Sequence, residues 1–539
     1  MTKVLCGQKS LVLKILFVFL AVFLAACGGR TYENGTKILR ICFYEDIQTL
    51  DPIYAENQTD RWLSQQIFNT LYTYGEDLVL YPELAESHSL MPNGRELQIK
   101  LREDVVFHNA PIFAEGKGRE LRARDVVFSL KRFLKDAPSS SEQAALLREF
   151  LAEPIDTAIQ ELDHLTVKIS LRQPVGAFLH LLAMPSTAIV PEEAFNTTQN
   201  IKFADQPVGT GPFMFGKYKR GSFAVLNKHP QYFKSSLNDT ALPFLDAIDI
   251  SFGLDEADAL AELRQNGLDI MQISYSSMSK IKAEYPNELK SLYDTLAVPL
   301  LSVLGVDFQV APLYYNDLKS PMLSQYFRKG LIKGICTDSI GLELPFDTYA
   351  KAEGQFLAPI LPQYSQKATL LKPCDLAASK RLLEKYTIEP GAPLWNIYAP
   401  ESHQDLAQTL QNAWHVCQFG LVNEPEKAAI KLKTKHFWVA DEVLMLHFLA
   451  RADSLQSFKD EVRIAWHDAA AIKEPSERQE AASLLAKQFY DKAFFMPLFF
   501  ERLVFLKRKR VESMPFTPLG VWKAEVMDLD QEQAVQEES

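Results

Sequence analysis

Residues 97–133 show the clearest change of hydrophobic pattern along the chain. Apolar and polar residues alternate through Leu97–Leu101, which predicts a strand with one buried face. After a short glycine-containing loop, the apolar residues Val126, Leu130 and Phe133 recur three or four positions apart, which predicts an amphipathic helix. The segment therefore predicts a small α/β unit, a pattern too common to indicate a function.

The same two periodicities predict strands and helices through the rest of the chain. Strands are predicted at Ile38–Phe43, Thr166–Leu171, Asp269–Ile273 and Leu296–Phe308, and helices at Asp60–Leu71, Ala257–Asn266, Leu406–Phe419 and Ala481–Tyr490. The basic run Lys507–Arg510 predicts a solvated strand edge, with a partner-binding surface as the alternative. This mixture of elements indicates the α/β class.

Length and charge limit the kinds of protein that the chain can be. A chain of 539 residues is too long for one ordinary core and predicts roughly three domains of about 150 residues. The formal charge is −11 and becomes −14 without the first 26 residues, which hold three lysines and no acid. An acidic body of this kind argues against nucleic acid as a partner.

The N-terminus has the pattern of a bacterial export signal. Three lysines precede the apolar run Ile15–Ala26, which is too short to span a bilayer but suits a signal-peptide core. Leu24-Ala25-Ala26-Cys27 resembles the bacterial lipobox, which predicts cleavage before Cys27 and lipidation of its thiol. We therefore expect a signal peptide at 1–26, a lipidated tether at 27–36, and anchoring to a bacterial membrane in the periplasm or at the cell surface. An ordinary signal peptide with a nearby cysteine is the alternative.

Four cysteines remain in the mature chain besides Cys27. Cys42, Cys336, Cys374 and Cys417 are widely scattered, so pairing in an oxidising compartment and isolated buried thiols both remain open. The sequence contains neither Cys-x-x-Cys nor a close Cys/His cluster, so we predict no structural zinc and no other cofactor.

Several motifs in order carry a resemblance to a known family. The segments Leu101–Asn109 (LREDVVFHN) and Leu121–Arg132 (LRARDVVFSLKR) closely resemble the region that marks family 5 of the extracellular solute-binding proteins. Members of that family supply peptides, nickel or similar ligands to ABC importers. The resemblance continues at Leu50–Pro52, Ile67–Tyr72, Tyr81–Ser87 and Gly209–Phe213. It covers nearly the whole mature chain and is looser after Pro321.

The resemblance implies a two-lobed α/β fold of the periplasmic-binding-protein type II class, with mixed sheets, a hinged cleft and an extra subdomain in the first lobe. We expect the first lobe at 37–300, an inserted subdomain at about 53–170, the second lobe at 301–495 and a return to the first lobe at 496–526. Residues 527–539 are rich in acids and predict a disordered tail.

One helix implied by the resemblance departs from the family's pattern. Tyr326–Cys336 resembles a helix of the second lobe, but Gly330 and Gly334 stand where good helix formers are usual. Each glycine costs about 1 kcal/mol relative to alanine in a helix. A divergent or kinked helix is therefore expected there.

The implied function is capture of a peptide or related small solute in an interlobe cleft and its delivery to an ABC permease. The sequence has no Gly-x-Ser-x-Gly elbow, no His-Glu-x-x-His helix and no Walker motif. We therefore expect a monomeric binding protein that is not an enzyme, with the permease and ATPase as separate chains. The alternative is a lipoprotein of the same fold that acts as a non-transport sensor or adhesion scaffold.

The resemblance also implies candidate ligand contacts. In peptide-binding relatives an aspartate in a W-x-A-D-Y type segment pairs with the ligand's ammonium group. Phe448 takes the tryptophan position here and Arg451 that of the aspartate, which predicts a reversed charge that would attract a carboxylate. A local shift that makes Asp453 the acid, or a solvent-facing Arg451, is the alternative. Glu56, Asn57 and Gln272 are further candidates, by position alone.

Overall fold

A computed structural model describes residues 37–195, 203–236, 238–308, 321–336, 349–352, 361, 374–386, 395–414, 419–437, 439–450 and 459–530. The predicted signal peptide and tether at 1–36, including Cys27, lie outside the described residues, as does most of the predicted tail.

The elements alternate between strand and helix along the chain. The strands are β1 (Ile38–Phe43), β2 (Tyr72–Tyr74), β3 (Leu80–Pro82), β4 (Ala85–Leu90), β5 (Glu96–Leu101), β6 (Ile159–Asp163), β7 (Thr166–Ser170), β8 (Phe213–Lys219), β9 (Phe223–Lys228), β10 (Ala247–Phe252), β11 (Ile270–Gln272), β12 (Tyr293–Pro299), β13 (Ser302–Phe308), β14 (Tyr349–Lys351), β15 (Trp395–Tyr398), β16 (Phe419–Val422), β17 (Ile430–His436), β18 (Phe495–Arg508), β19 (Phe516–Thr517) and β20 (Val521–Trp522). The α-helices are α1 (Gln58–Ile67), α2 (Ala123–Asp136), α3 (Glu142–Phe150), α4 (Ile155–Ala158), α5 (Phe178–Leu181), α6 (Glu256–Arg264), α7 (Tyr275–Glu284), α8 (Pro286–Leu292), α9 (Gln325–Lys333), α10 (Leu376–Leu383), α11 (Gln404–Ala413), α12 (Glu442–Ala450), α13 (Lys459–Ala471) and α14 (Pro475–Lys492).

Two halves of one long strand join the lobes. The first-lobe sheet has the order β8-β9-β10-β1-β11-β18, and the second-lobe sheet the order β16-β15-β17-β13-β18. Residues 502–508 of β18 pair with β12 in the first lobe, whereas residues 495–501 pair with β13 and β14 in the second. The predicted lobe boundaries fall beside these elements, and the division itself stays a prediction.

The predicted strand-and-helix unit is confirmed within a separate four-stranded sheet of order β4-β5-β7-β6. The alternating residues Leu97, Ile99 and Leu101 of β5 are buried, and so are the helical residues Val126 and Leu130 of α2. One face of the sheet and one stripe of the helix therefore share a core, as their periodicities require.

The Gly-Thr-Gly-Pro turn before β8 is held by close backbone packing. A Cβ atom at Gly209 would lie 2.1 Å from the carbonyl oxygen of Ile67, at the end of α1. The rings of His108 and His229 both approach the Gly211 carbonyl oxygen, at 2.9 and 3.1 Å. Burial is the main cause that lowers the pKa of His108 to about 3 and that of His229 to about 4. Both rings are therefore neutral at pH 7, which suits their buried positions.

Three expectations for the second lobe and the tail are corrected. The expected kink in Tyr326–Cys336 is absent from Gln325–Lys333, which form α9; Gly330 lets the Leu383 side chain approach within 2.8 Å of the position that a Cβ atom would take. Helix α11 ends at Ala413, not Phe419, because Phe419 begins β16.

The predicted disorder of the tail is wrong for residues 527–530. Met527 is fully buried, and Leu529 forms a β-bridge with Val511. These two apolar side chains give the segment enough buried surface to order it, although its neighbours are acidic.

The cysteines and the basic run also take definite roles. Cys336 and Cys374 form a disulfide, whereas Cys42 is a buried free thiol; Cys417 lies outside the described residues. Lys507 and Arg508 are buried in β18, so the predicted solvated edge at Lys507–Arg510 is wrong there. The Arg508 side chain has a hydrogen-bond partner inside the first lobe, since it donates to the Leu263 carbonyl oxygen.

Candidate ligand cleft

A cavity of about 300 Å³ lies where the two lobes meet at β18. Its walls come from α1 and β11 in the first lobe, from the end of β17 in the second, and from the segment 518–520. Leu300, Leu301 and Phe437 supply apolar surface. Because both lobes and the strand that joins them contribute to its walls, this cavity has the position of a ligand cleft between hinged lobes.

Glu501 brings a carboxylate to the cleft at the changeover point of β18. Its side chain accepts hydrogen bonds from Ser302 Oγ at 2.8 Å and from Thr434 Oγ1 at 3.3 Å. His436 Nδ1 lies 4.0 Å from the Glu501 carboxylate, and burial, opposed by Glu501, lowers the pKa of His436. The two hydroxyl groups are uncharged, so Glu501 is the acidic group of this wall.

Two arginines bring positive charge to the same cavity. Arg61 lies in the second turn of α1, and Arg502 follows Glu501 in β18. The Arg61 guanidinium donates to the Glu56 carbonyl oxygen. Burial lowers the pKa of Arg61 to about 10, although the charges of Asp60 and Glu45 oppose this effect. A cation in such desolvated surroundings gains from an anionic partner.

The three ligand contacts predicted in the first lobe differ in where the structure places them. Gln272 lines the cavity. Asn57 instead caps α1: its side chain accepts from Asp60 N at 2.7 Å and donates to Asp60 Oδ2 at 3.0 Å. Glu56 is exposed, and among the described atoms its carbonyl oxygen meets Arg61. A ligand contact by either side chain stays a prediction.

The predicted contacts from the second lobe cannot be placed as side chains. Phe448 lies in α12, but its side chain is outside what the structure describes, and Arg451 and Asp453 lie outside the described residues. The reversed charge at Arg451 therefore stays a prediction.

Sequence reasoning missed the cleft residues Arg61, His436 and Glu501. One signal was present, because Glu501-Arg502 interrupts the apolar run Phe494–Phe505 in the return strand. A charged pair inside a strand with buried flanks indicates a polar site. Arg61 and His436 gave no such signal, since each lies in an ordinary polar context.

The described residues contain no cluster of three or more His, Cys, Asp or Glu side chains that could hold a metal ion. In the same part of the chain, no helix is both long enough and apolar enough to cross a bilayer.

Comparison with curated proteins gives relatives along nearly the whole chain. "Di/tripeptide-binding protein 2" of Pseudomonas aeruginosa is 22% identical over 537 residues, which cover 93% of this chain and 96% of that protein. The "Probable ABC transporter periplasmic-binding protein SapA" of Escherichia coli is 26% identical over 303 residues, 54% of this chain and 50% of that protein.

Comparison with solved structures shows the two-lobed fold. The periplasmic binding protein DppA from Helicobacter pylori, in complex with the peptide STSA, superposes with a TM-score of 0.74 at 18% identity. The match covers 92% of this chain and 98% of that one.

A family model identifies the chain more directly than either comparison. The model described as "Bacterial extracellular solute-binding proteins, family 5 Middle" matches residues 79–421, which include the LREDVVFHN and GTGPF motifs and the strands β13, β14 and β15 of the second lobe. The chain belongs to family 5 of the bacterial extracellular solute-binding proteins.

Proposed function

We propose that the protein captures short free peptides in the interlobe cleft and delivers them to the permease of an ABC importer. The observation that carries the proposal is the charge pattern of the cleft, where Glu501 lies beside Arg502 and shares the cavity with Arg61. A free peptide has an ammonium group and a carboxylate, so it complements a wall with both signs of charge.

The size of the cavity favours a small ligand. Its volume of about 300 Å³ is at the lower end of the roughly 300–1,000 Å³ typical of ligand pockets. A dipeptide or tripeptide fits this range better than a long peptide. The names of the curated relatives, which include a di/tripeptide-binding protein, support the same class.

The proposal also includes where the protein acts and which separate chains complete the importer. Lipidation at Cys27 would hold the protein at a membrane surface without a spanning helix. Residues 37–300 and 301–495 would form the two lobes and close on the ligand about the strands that join them. The chain would act as a monomer without catalysis, and a separate permease and ATPase would move the released peptide.

Thermal unfolding of the full-length protein in detergent, with a panel of peptides, tests this function. A ligand at a hundred times its dissociation constant should add about 2.7 kcal/mol to the free energy of unfolding. We expect stabilisation by free di- and tripeptides and a weaker effect from the same peptides with an acetylated N-terminus or an amidated C-terminus. Stabilisation by none of these peptides, from folded protein, would contradict the proposal and favour the non-transport scaffold.

A further inference from the structure

A second, smaller cavity lies behind helix α1 in the first lobe. Its volume is about 70 Å³. Among the side chains around it are Ser64 and Gln66 of α1, and Glu83 and Tyr232 from other parts of the first lobe. The cavity is therefore polar, although it lies inside the fold.

Two polar atoms in its wall have no protein partner among the described residues. Ser64 and Gln66 are 2% and 1% exposed, and neither Ser64 Oγ nor Gln66 Oε1 has a hydrogen-bond partner within the described part of the chain. The orientation of the Gln66 amide is fixed, because its Nε2 donates to the carbonyl oxygens of Trp62 and Trp522 at 3.3 and 3.4 Å. Buried polar atoms are almost always paired, so this pair indicates that something polar occupies the cavity.

The charges on one side of the cavity balance, because Lys234 and Lys523 match Glu83 and Glu525. Lys234 Nζ lies 2.6 Å from Glu83 Oε1 and 3.8 Å from Glu525 Oε1. Although burial opposes ionisation, the charge of Lys234 keeps the pKa of Glu83 low, and the two carboxylates keep the pKa of Lys234 high. An occupant with a full charge would upset this balance in a desolvated place. A neutral hydrogen-bonding group suits it better.

The small cavity adjoins the ligand cleft. Arg61 and Leu519 line both cavities, so their side chains stand between the two spaces. A group attached to a ligand in the cleft would reach Ser64 and Gln66 by passing these two side chains.

We propose that the small cavity is a side pocket of the ligand cleft that receives a neutral carboxamide side chain of the bound peptide. A carboxamide matches the wall in both senses: its NH₂ donates to Gln66 Oε1, and its oxygen accepts from the Ser64 hydroxyl. At 10–15 Å³ per water-sized group, the cavity has room for about five such groups, enough for the end of an asparagine or glutamine side chain. The inference rests on the proposed capture of peptides.

Calorimetric titration of the full-length protein with the dipeptides Gly-Asn, Gly-Leu and Gly-Gly tests the side pocket. Asparagine and leucine have nearly the same shape, so the pair isolates the hydrogen bonds. We expect Gly-Asn to bind roughly tenfold or more tightly than Gly-Leu, because leucine leaves the two buried polar atoms unpaired. The Ser64→Ala variant should lose most of this preference and keep its affinity for Gly-Gly.

Two further variants keep the test decisive. Gln66→Met preserves the volume of the side chain and should also reduce the preference. Ser129→Ala removes a buried hydroxyl of α2 whose partners are Asp125 and Val190, outside both cavities, and should leave the preference unchanged.

The unfavourable outcomes are distinct. Equal affinities for Gly-Asn and Gly-Leu, unchanged by Ser64→Ala, would show that the cavity holds only water and would overturn the side pocket while peptide capture stands. Failure of all three dipeptides to bind would overturn peptide capture, and the side pocket with it.

Discussion

The described residues include two meeting places of the lobes that have opposite character. At the cleft, charged and polar side chains from both lobes surround a cavity of about 300 Å³. At the second meeting place, α3 lies against α13, in the segments predicted to form the inserted subdomain and the second lobe. There the Phe150 and Trp466 rings lie 5.3 Å apart and both residues are at most 2% exposed. The Gly176 N–H donates to the Ala470 carbonyl oxygen at 3.0 Å.

This difference separates the source of stability from the source of selectivity. Buried aromatic contact is favourable whatever the ligand, because it removes apolar surface from water. Charged groups around a cavity gain little until a complementary ligand desolvates them. The apolar contact therefore holds the lobes together, and the cleft decides which solute stays between them. The following variants act on one place and leave the other intact.

The largest effect is expected from Trp466→Ala at the apolar contact. The change removes the ring that faces Phe150 and the hydrogen bond from Trp466 Nε1 to the Val443 carbonyl oxygen, 2.8 Å long. Loss of a buried tryptophan costs about 3–5 kcal/mol, measured as the free energy of unfolding in urea. Ile464→Ala, at a position 58% exposed on the same helix, is the control and should cost little. Equal losses for both variants would contradict a packed contact.

A smaller effect, dependent on pH, is expected at Glu442 beside the same contact. Burial is the main cause that raises the pKa of Glu442 to about 7, helped by the charge of Asp441 and opposed by Arg478. The folded state thus binds this proton more tightly than the unfolded state, in which the pKa is about 4.5. The contribution of this group to the free energy of unfolding is fully present below pH 4.5 and is lost as the pH rises from 4.5 to 7.

Glu442→Gln should remove that loss. At pH 8 the variant should be more stable than the parent chain by up to about 3 kcal/mol, since each pKa unit corresponds to about 1.36 kcal/mol, and at pH 4.5 the two should agree. Urea unfolding across this range measures the difference, with the exposed Glu480→Gln on α14 as control. A gain that does not vary with pH would show that Glu442 does not titrate in this window.

The two meeting places also differ in how far sequence predicted them. The strand and helix around Leu97 and Val126 were predictable because their periodicity is local. The cleft was not, since Arg61, His436 and Glu501 come together only through the pairing of β18 with strands of both lobes. The sequence also did not indicate which charged residues have distant partners. Arg510, for example, pairs with Asp269, 241 residues away. The sequence thus predicted single strands and helices, whereas the positions of the cleft residues depend on pairing between distant strands.

The smallest effect on stability, and the most selective effect on binding, is expected from Glu501→Gln in the cleft. Ser302 and Thr434 donate to different oxygens of Glu501. The glutamine oxygen can accept from one of these hydroxyl groups, and the glutamine NH₂ can donate to the other, so the free energy of unfolding should change by less than about 1 kcal/mol. Its lost charge should weaken the binding of a free dipeptide about tenfold or more, because a charge-assisted bond to the ammonium group becomes a neutral one.

An N-acetylated dipeptide supplies the matched comparison, since it has no ammonium group for Glu501 to bind. Calorimetric titration should give the parent chain and Glu501→Gln similar affinities for the acetylated ligand and different affinities for the free one. Arg502→Gln should show the converse dependence, on a free rather than an amidated C-terminus. If Glu501→Gln weakened both ligands equally, the carboxylate would organise the cleft through Ser302 and Thr434 without touching the ligand. The cleft would then resemble the apolar contact, a structural support whose contribution does not depend on the solute.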